Sequence, residues 1–138
     1  MTLQRIDHIG VIVDDLDRAA ATFRDVLGLT EGDSVERDTL RSVFFACGGT
    51  EIELVEILDP EQRQERLGAD QARIEHIAFE VDDLDATYAA LGALGIEPKA
   101  PPRTAERYRT FFTRAETADG IAYQFVQRTE PAAGASLE

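Results

Sequence analysis

Cysteine is all but missing from this 138-residue chain. Cys47 stands alone, which excludes an intrachain disulfide and fits a reducing compartment. Positive charge is also short: 14 Lys and Arg face 27 Asp and Glu, a formal charge of −13, so DNA or RNA would be repelled at long range. No stretch approaches the ~20 apolar residues of a membrane span. The opening Met1-Thr2-Leu3-Gln4-Arg5-Ile6-Asp7 holds no apolar core of the kind a secretory signal carries. A cytoplasmic protein, with neither nucleic acid nor membrane as partner, is the expectation. The length suits a single domain, given a prior of about 150 residues each, and such a domain buries roughly two thirds of its unfolded surface.

What the chain does have is an internal repeat. Arg5-Ile6-Asp7-His8-Ile9 returns as Arg73-Ile74-Glu75-His76-Ile77, and the same offset of 68 lays Val13-Asp14-Asp15-Leu16-Asp17 over Val81-Asp82-Asp83-Leu84-Asp85. Further on, Leu27-Gly28-Leu29 matches Leu94-Gly95-Ile96, Phe44-Phe45 matches Phe111-Phe112, and the run from Gly49 to Glu56 lies over that from Gly120 to Gln127. Ordered blocks of this kind do not arise by chance. They predict one domain over 1–130, built from module one (1–58), a linker (59–71) and module two (72–128), with a flexible tail at 131–138.

Alternation of apolar residues predicts a first strand over 6–13 and again over 74–81. Asp14 and Asp82 are the expected helix N-caps, and Gly28 and Gly95 sit where C-cap glycines belong. Strands are expected around 32–37, 40–47 and 50–58 in the first copy, and around 97–100, 107–114 and 121–128 in the second. Each module is then βαβββ, an α+β fold. The polar stretch from Asp59 to Ala72 reads as a short exposed helix and linker.

The chain's two histidines occupy equivalent places in the repeat. On the first strand Ile9, Val11 and Val13 share the face suited to helix packing, and His8 lies opposite with Ile6, Gly10 and Ile12. His76 likewise opposes Ile77, Phe79 and Val81. On the last strands Glu53 and Gln124 are repeat equivalents on the corresponding face. Two imidazoles, a carboxylate and a carboxamide suit a divalent ion such as Zn, Mn, Co, Ni or Fe. The plainer reading is a pair of hydrogen-bonded core histidines copied with the gene. The added match of Glu53 with Gln124 tips the balance toward a metal site.

These residues resemble the vicinal oxygen chelate, or glyoxalase/bleomycin resistance/dioxygenase, superfamily. The likeness rests on Ile6-Asp7-His8-Ile9-Gly10-Val11, Val13-Asp14-Asp15-Leu16-Asp17, Glu53-Leu54-Val55, Glu75-His76-Ile77-Ala78 and Val81-Asp82-Asp83-Leu84, and spans 4–128. It implies two tandem βαβββ modules forming a curved mixed sheet around a divalent metal ion, with His8, Glu53, His76 and Gln124 as ligands. The methylmalonyl-CoA epimerase and glyoxalase I group looks closest. One departure stands out: those enzymes usually carry a carboxylate that takes part in proton transfer where this chain has Gln124.

The resemblance implies an isomerase, epimerase or lyase that moves a proton next to a carbonyl, with Glu53 as ligand and candidate catalytic base. The alternatives are an iron-dependent ring-cleaving dioxygenase and a metal-free small-molecule binding or resistance protein. Arg103, Arg107 and Arg109 offer a receptor for an anionic substrate, against the plainer reading of solvated strand-edge arginines. Cys47 reads as a core residue, Gly48-Gly49 as a turn, and a homodimer is expected.

Overall fold

The computed structural model describes residues 1–128, so the predicted tail at 131–138 lies outside the described residues. Its elements run β1 (Leu3–Val13), α1 (Leu16–Ala21), β2 (Thr30–Glu36), β3 (Leu40–Cys47), β4 (Thr50–Ile57), α2 (Pro60–Arg66), β5 (Ala72–Val81), α3 (Leu84–Ala93), β6 (Arg103–Thr104), β7 (Arg109–Phe112) and β8 (Ala122–Gln127). Taken in order, this is βαβββ twice with α2 between, the α+β class expected from the repeat. By proximity the chain divides into two compact units. One is His8–His76; the other joins Met1–Asp7 to the described residues from Ile77 to Arg128.

In the unit His8–His76 the strand order is β2-β3-β4-β1. The pairs β2·β3 and β3·β4 are antiparallel and β1·β4 is parallel. Val13, Leu16, Ala20, Val43, Phe45 and Leu54 form its core between α1 and the sheet. Each large apolar side chain there contributes roughly 1.5–3 kcal/mol. A second cluster, Ile12, Val55, Ile57 and Leu67, lies on the other face of β1 and β4. In the other unit the order is β5-β8-β7-β6, and Val81, Leu84, Leu91, Phe111 and Phe125 make the core against α3. The predicted division of strand faces therefore holds in both copies.

Helix entry differs from the expectation by one residue. Asp15 and Asp83, rather than Asp14 and Asp82, cap the helices, their carboxylates accepting from the N–H of Arg18 and Ala86 at 3.0 Å. The reason is burial. Leu16 and Leu84 must be the first helical residues to reach the core, and the cap is the residue before them. The N–H of Leu16 donates to Glu56 at 2.9 Å and that of Leu84 to Gln127 at 2.8 Å. These acceptors are again repeat equivalents, so each last strand holds its own module's helix start.

The first helix continues as a π-helical turn over Thr22–Val26, closed by Leu27 N–H to Thr22 C=O at 3.0 Å. The repeat offset falls from 68 before this turn to 67 at Leu27-Gly28-Leu29 just after it. The first module thus carries one extra residue here, and a widened turn absorbs it without rotating the flanking faces. Both copies stop at a glycine with positive φ, Gly28 at 73° and Gly95 at 88°. The strand expected near 97–100 is reduced to a bridge between Pro98 and Thr113, and regular pairing starts at Arg103–Thr104. Pro98, Pro101 and Pro102 supply no N–H donors to a ladder.

Candidate metal centre

Parallel pairing of β1 with β4 sets Glu51 opposite His8 and Glu53 opposite Gly10, so all four share one face of the sheet. Phe44 of β3 pairs with Glu53. Its ring meets the buried His8 ring edge-on, centroids 5.3 Å apart at 88°. From β5 comes His76, also buried, its ring 5.6 Å from that of His8 at 85°. Oε1 of Glu53 lies 3.5 Å from His8 Nε2 and 3.8 Å from His76 Nε2. Donor atoms of the three side chains all fall within 4.8 Å of one another.

Those spacings fit a cation better than direct hydrogen bonds, which call for about 2.7–3.2 Å. An ion bound tetrahedrally to N and O donors at about 2.1 Å holds them roughly 3.4 Å apart. The backbone has also made room for the second imidazole. A Cβ on Gly10 would stand 2.0 Å from His76 Cε1 and 2.2 Å from Nε2, so only glycine lets that ring lie across β1. Beside His76, Glu75 meets Nδ1 at 2.9 Å and receives Nε and Nη2 of Arg66 at 2.8 and 2.7 Å. Burial alone would raise the Glu75 carboxyl, but hydrogen bonds from Arg66 and His76 and their charges hold it down to about 2.

Gln124 belongs to the other unit. It is buried, and its Nε2 donates to Thr110 Oγ1 at 3.0 Å and Tyr108 Oη at 3.4 Å. The proposed substrate arginines part company. Arg109 lies on the helix-facing side of β7 with Phe111 and donates to Asp85 of α3 at 3.1 and 3.3 Å. Arg41 makes the equivalent bond to Asp17 in the first copy at 2.9 Å. A contact kept in both copies makes Arg109 a strand-to-helix tie. Arg103 is exposed on β6 and Arg107 half-buried before β7. Cys47 is exposed, not in the core: it ends β3 beside the Gly48-Gly49 turn, past the last core position, Phe45. The sequence reading passed over Glu75, Arg66 and Gly10. Two signals pointed to them: an acid precedes each histidine in the repeat, and a small residue, Gly10 or Ala78, follows two positions later.

A profile of the Glyoxalase/Bleomycin resistance protein/Dioxygenase superfamily matches residues 5–125. The chain is 33% identical over 118 residues to the uncharacterized protein YwkD of Bacillus subtilis (strain 168), covering 81% of this chain and 91% of that protein. It is 28% identical over 92 residues to human mitochondrial methylmalonyl-CoA epimerase, 61% of this chain and 50% of the human one. The crystal structure of methylmalonyl-CoA epimerase from Mycobacterium tuberculosis superposes with a TM-score of 0.82 at 23% identity, over 93% of this chain and 90% of that one. At that identity the likeness is one of fold.

Proposed function

Since the chain belongs to the Glyoxalase/Bleomycin resistance protein/Dioxygenase superfamily, we propose that it is a metal-dependent isomerase, epimerase or lyase that moves a proton on carbon next to a carbonyl. The observation that carries this reading is the convergence of His8, Glu53 and His76 within 4.8 Å. A divalent ion there, of Zn, Mn, Co, Ni or Fe, supplies Lewis acidity that polarises a carbonyl oxygen and acidifies the neighbouring C–H. The two imidazoles and Glu53 would hold it. Gln124 is the fourth donor that the family resemblance implies. As a neutral amide Gln124 takes no proton near pH 7, so the base is a carboxylate of β4, Glu53 itself or Glu51 on the same face.

The likeness to human methylmalonyl-CoA epimerase makes an acyl thioester the first substrate to try, followed by 2-oxo compounds. Arg103, Arg107 and Arg109 are the proposed receptors for an anionic substrate group. Association with a second copy is expected, supported by the exposed apolar side chains of Val26, Leu27, Ile74 and Leu94. A light-scattering mass of twice the chain's is the outcome that agrees.

The test pairs elemental analysis of the purified protein with turnover in deuterated water. Bound divalent metal and deuterium at the carbon next to the carbonyl are expected. Protein that stays metal-free after incubation with several divalent ions overturns the reading in favour of a binding protein. Two histidines with one carboxylate are also the donor type of non-heme iron oxygenases. Oxygen consumption without deuterium exchange decides for that second reading.

A further inference from the structure

Glu75 and His76 are neighbours on a strand, where successive side chains leave from opposite faces, yet the Glu75 carboxylate comes to 2.9 Å from His76 Nδ1. Arg66 holds it there. Its Nε donates to Oε2 at 2.8 Å and its Nη2 to Oε1 at 2.7 Å, the paired geometry that restrains a carboxylate most firmly. Arg66 in turn stands in the last turn of α2. The next residue, Leu67, is 1% exposed and sits in the cluster of Ile12, Val55 and Ile57, and Arg73 donates to the Arg66 carbonyl at 2.9 Å. What the sequence presents as a linker is thus anchored at the point where its arginine reaches the site.

On the reading of His8, Glu53 and His76 as metal ligands, we propose that Glu75, clamped by Arg66, is a positioning residue that holds His76 as the Nδ1–H tautomer with the Nε2 lone pair turned toward the ion. An ionised carboxylate only accepts, so its hydrogen bond places the ring proton on Nδ1. Nε2 is then the basic nitrogen, and it is the atom 3.8 Å from Glu53 Oε1. A carboxylate behind a ligating histidine fixes ring orientation and raises its basicity, and removing one weakens metal binding about 10–100-fold. The arrangement belongs to the second copy of the repeat. In the first copy the counterpart of Glu75 is Asp7, whose Oδ1 accepts from Arg5 at 3.2 Å and Arg128 at 2.8 Å.

Two measurements test this, with zinc as the probe ion. Nitrogen-15 NMR of histidine-labelled, metal-free protein reports the His76 tautomer, and chelator competition reports zinc affinity. Wild type should show Nδ1–H. Glu75→Ala should move the proton toward Nε2 and lose zinc affinity about 10–100-fold. Glu75→Gln, whose amide oxygen still accepts from Nδ1–H, should restore the tautomer and most of the affinity. Should Glu75→Ala not fold, Arg66→Gln replaces it and should weaken zinc binding several-fold by releasing the carboxylate. Zinc bound equally well by wild type and by these variants, with the tautomer unmoved, overturns the positioning role alone. Wild type with His76 as Nδ1–H that binds no zinc overturns the metal reading on which it rests.

Discussion

A missing methyl group at Gly10 is what allows His76 to lie across β1. Gly10→Ala would place a Cβ 2.0–2.5 Å from ring atoms Cε1, Nε2 and Nδ1, so the imidazole must leave or the strand must shift. Overpacking of this kind costs about 1–3 kcal/mol, to be read from urea denaturation, and zinc affinity should fall with it. Gly49→Ala, with nothing within 4 Å of its new Cβ, is the control that changes neither. Gln124 carries a prediction from charge. With one carboxylate ligand a divalent site keeps a formal charge near +1; Gln124→Glu brings it near zero, so metal binds more tightly and an anionic substrate more weakly. Titrations of metal and of substrate analogue check the two directions separately.

At the scale of elements, duplicated contacts separate scaffold from site. The Asp15 and Asp83 caps, the Glu56 and Gln127 acceptors and the Arg41–Asp17 and Arg109–Asp85 ties recur in both copies. Each is explained by holding a helix on its own strands. Asp83→Ala should therefore lose about 1 kcal/mol, the usual worth of an N-cap, while Asp82→Ala, exposed and one residue too early, stays within about 0.5 kcal/mol. Denaturant midpoints of the two variants, measured side by side, distinguish them. Around the histidines the copies differ: Glu75 meets His76 and is held by Arg66 of α2, whereas Asp7 is bound to arginines. The π-helical turn of the first copy belongs with these differences, because a one-residue insertion has no counterpart in α3.

For the whole molecule the governing quantity is charge. At −13 the folded chain holds like charges closer together than the unfolded chain does, and salt screens that repulsion over about 8–10 Å near physiological strength. The thermal midpoint should rise by several degrees between 20 and 300 mM NaCl, followed by circular dichroism; a midpoint that falls would show that ion pairs such as Arg66–Glu75 outweigh the repulsion. Among the described residues no helix is long and apolar enough to cross a membrane.

The order βαβββ, the faces of the strands and the equivalence of His8 and His76 in the repeat were legible in the sequence, because a duplication writes the same local pattern twice and side-chain alternation is a local property. The helix caps came out one residue early because two adjacent aspartates read alike until burial of Leu16 and Leu84 selects between them. Cys47 was misread because apolar character does not tell where a strand ends. Only tertiary structure brought Glu53 within 4 Å of both histidines, since residues 8, 53 and 76 are joined by register and not by spacing. The same holds for Arg66 and Gly10: a linker arginine and a strand glycine acquire their meaning from what β5 lays beside them.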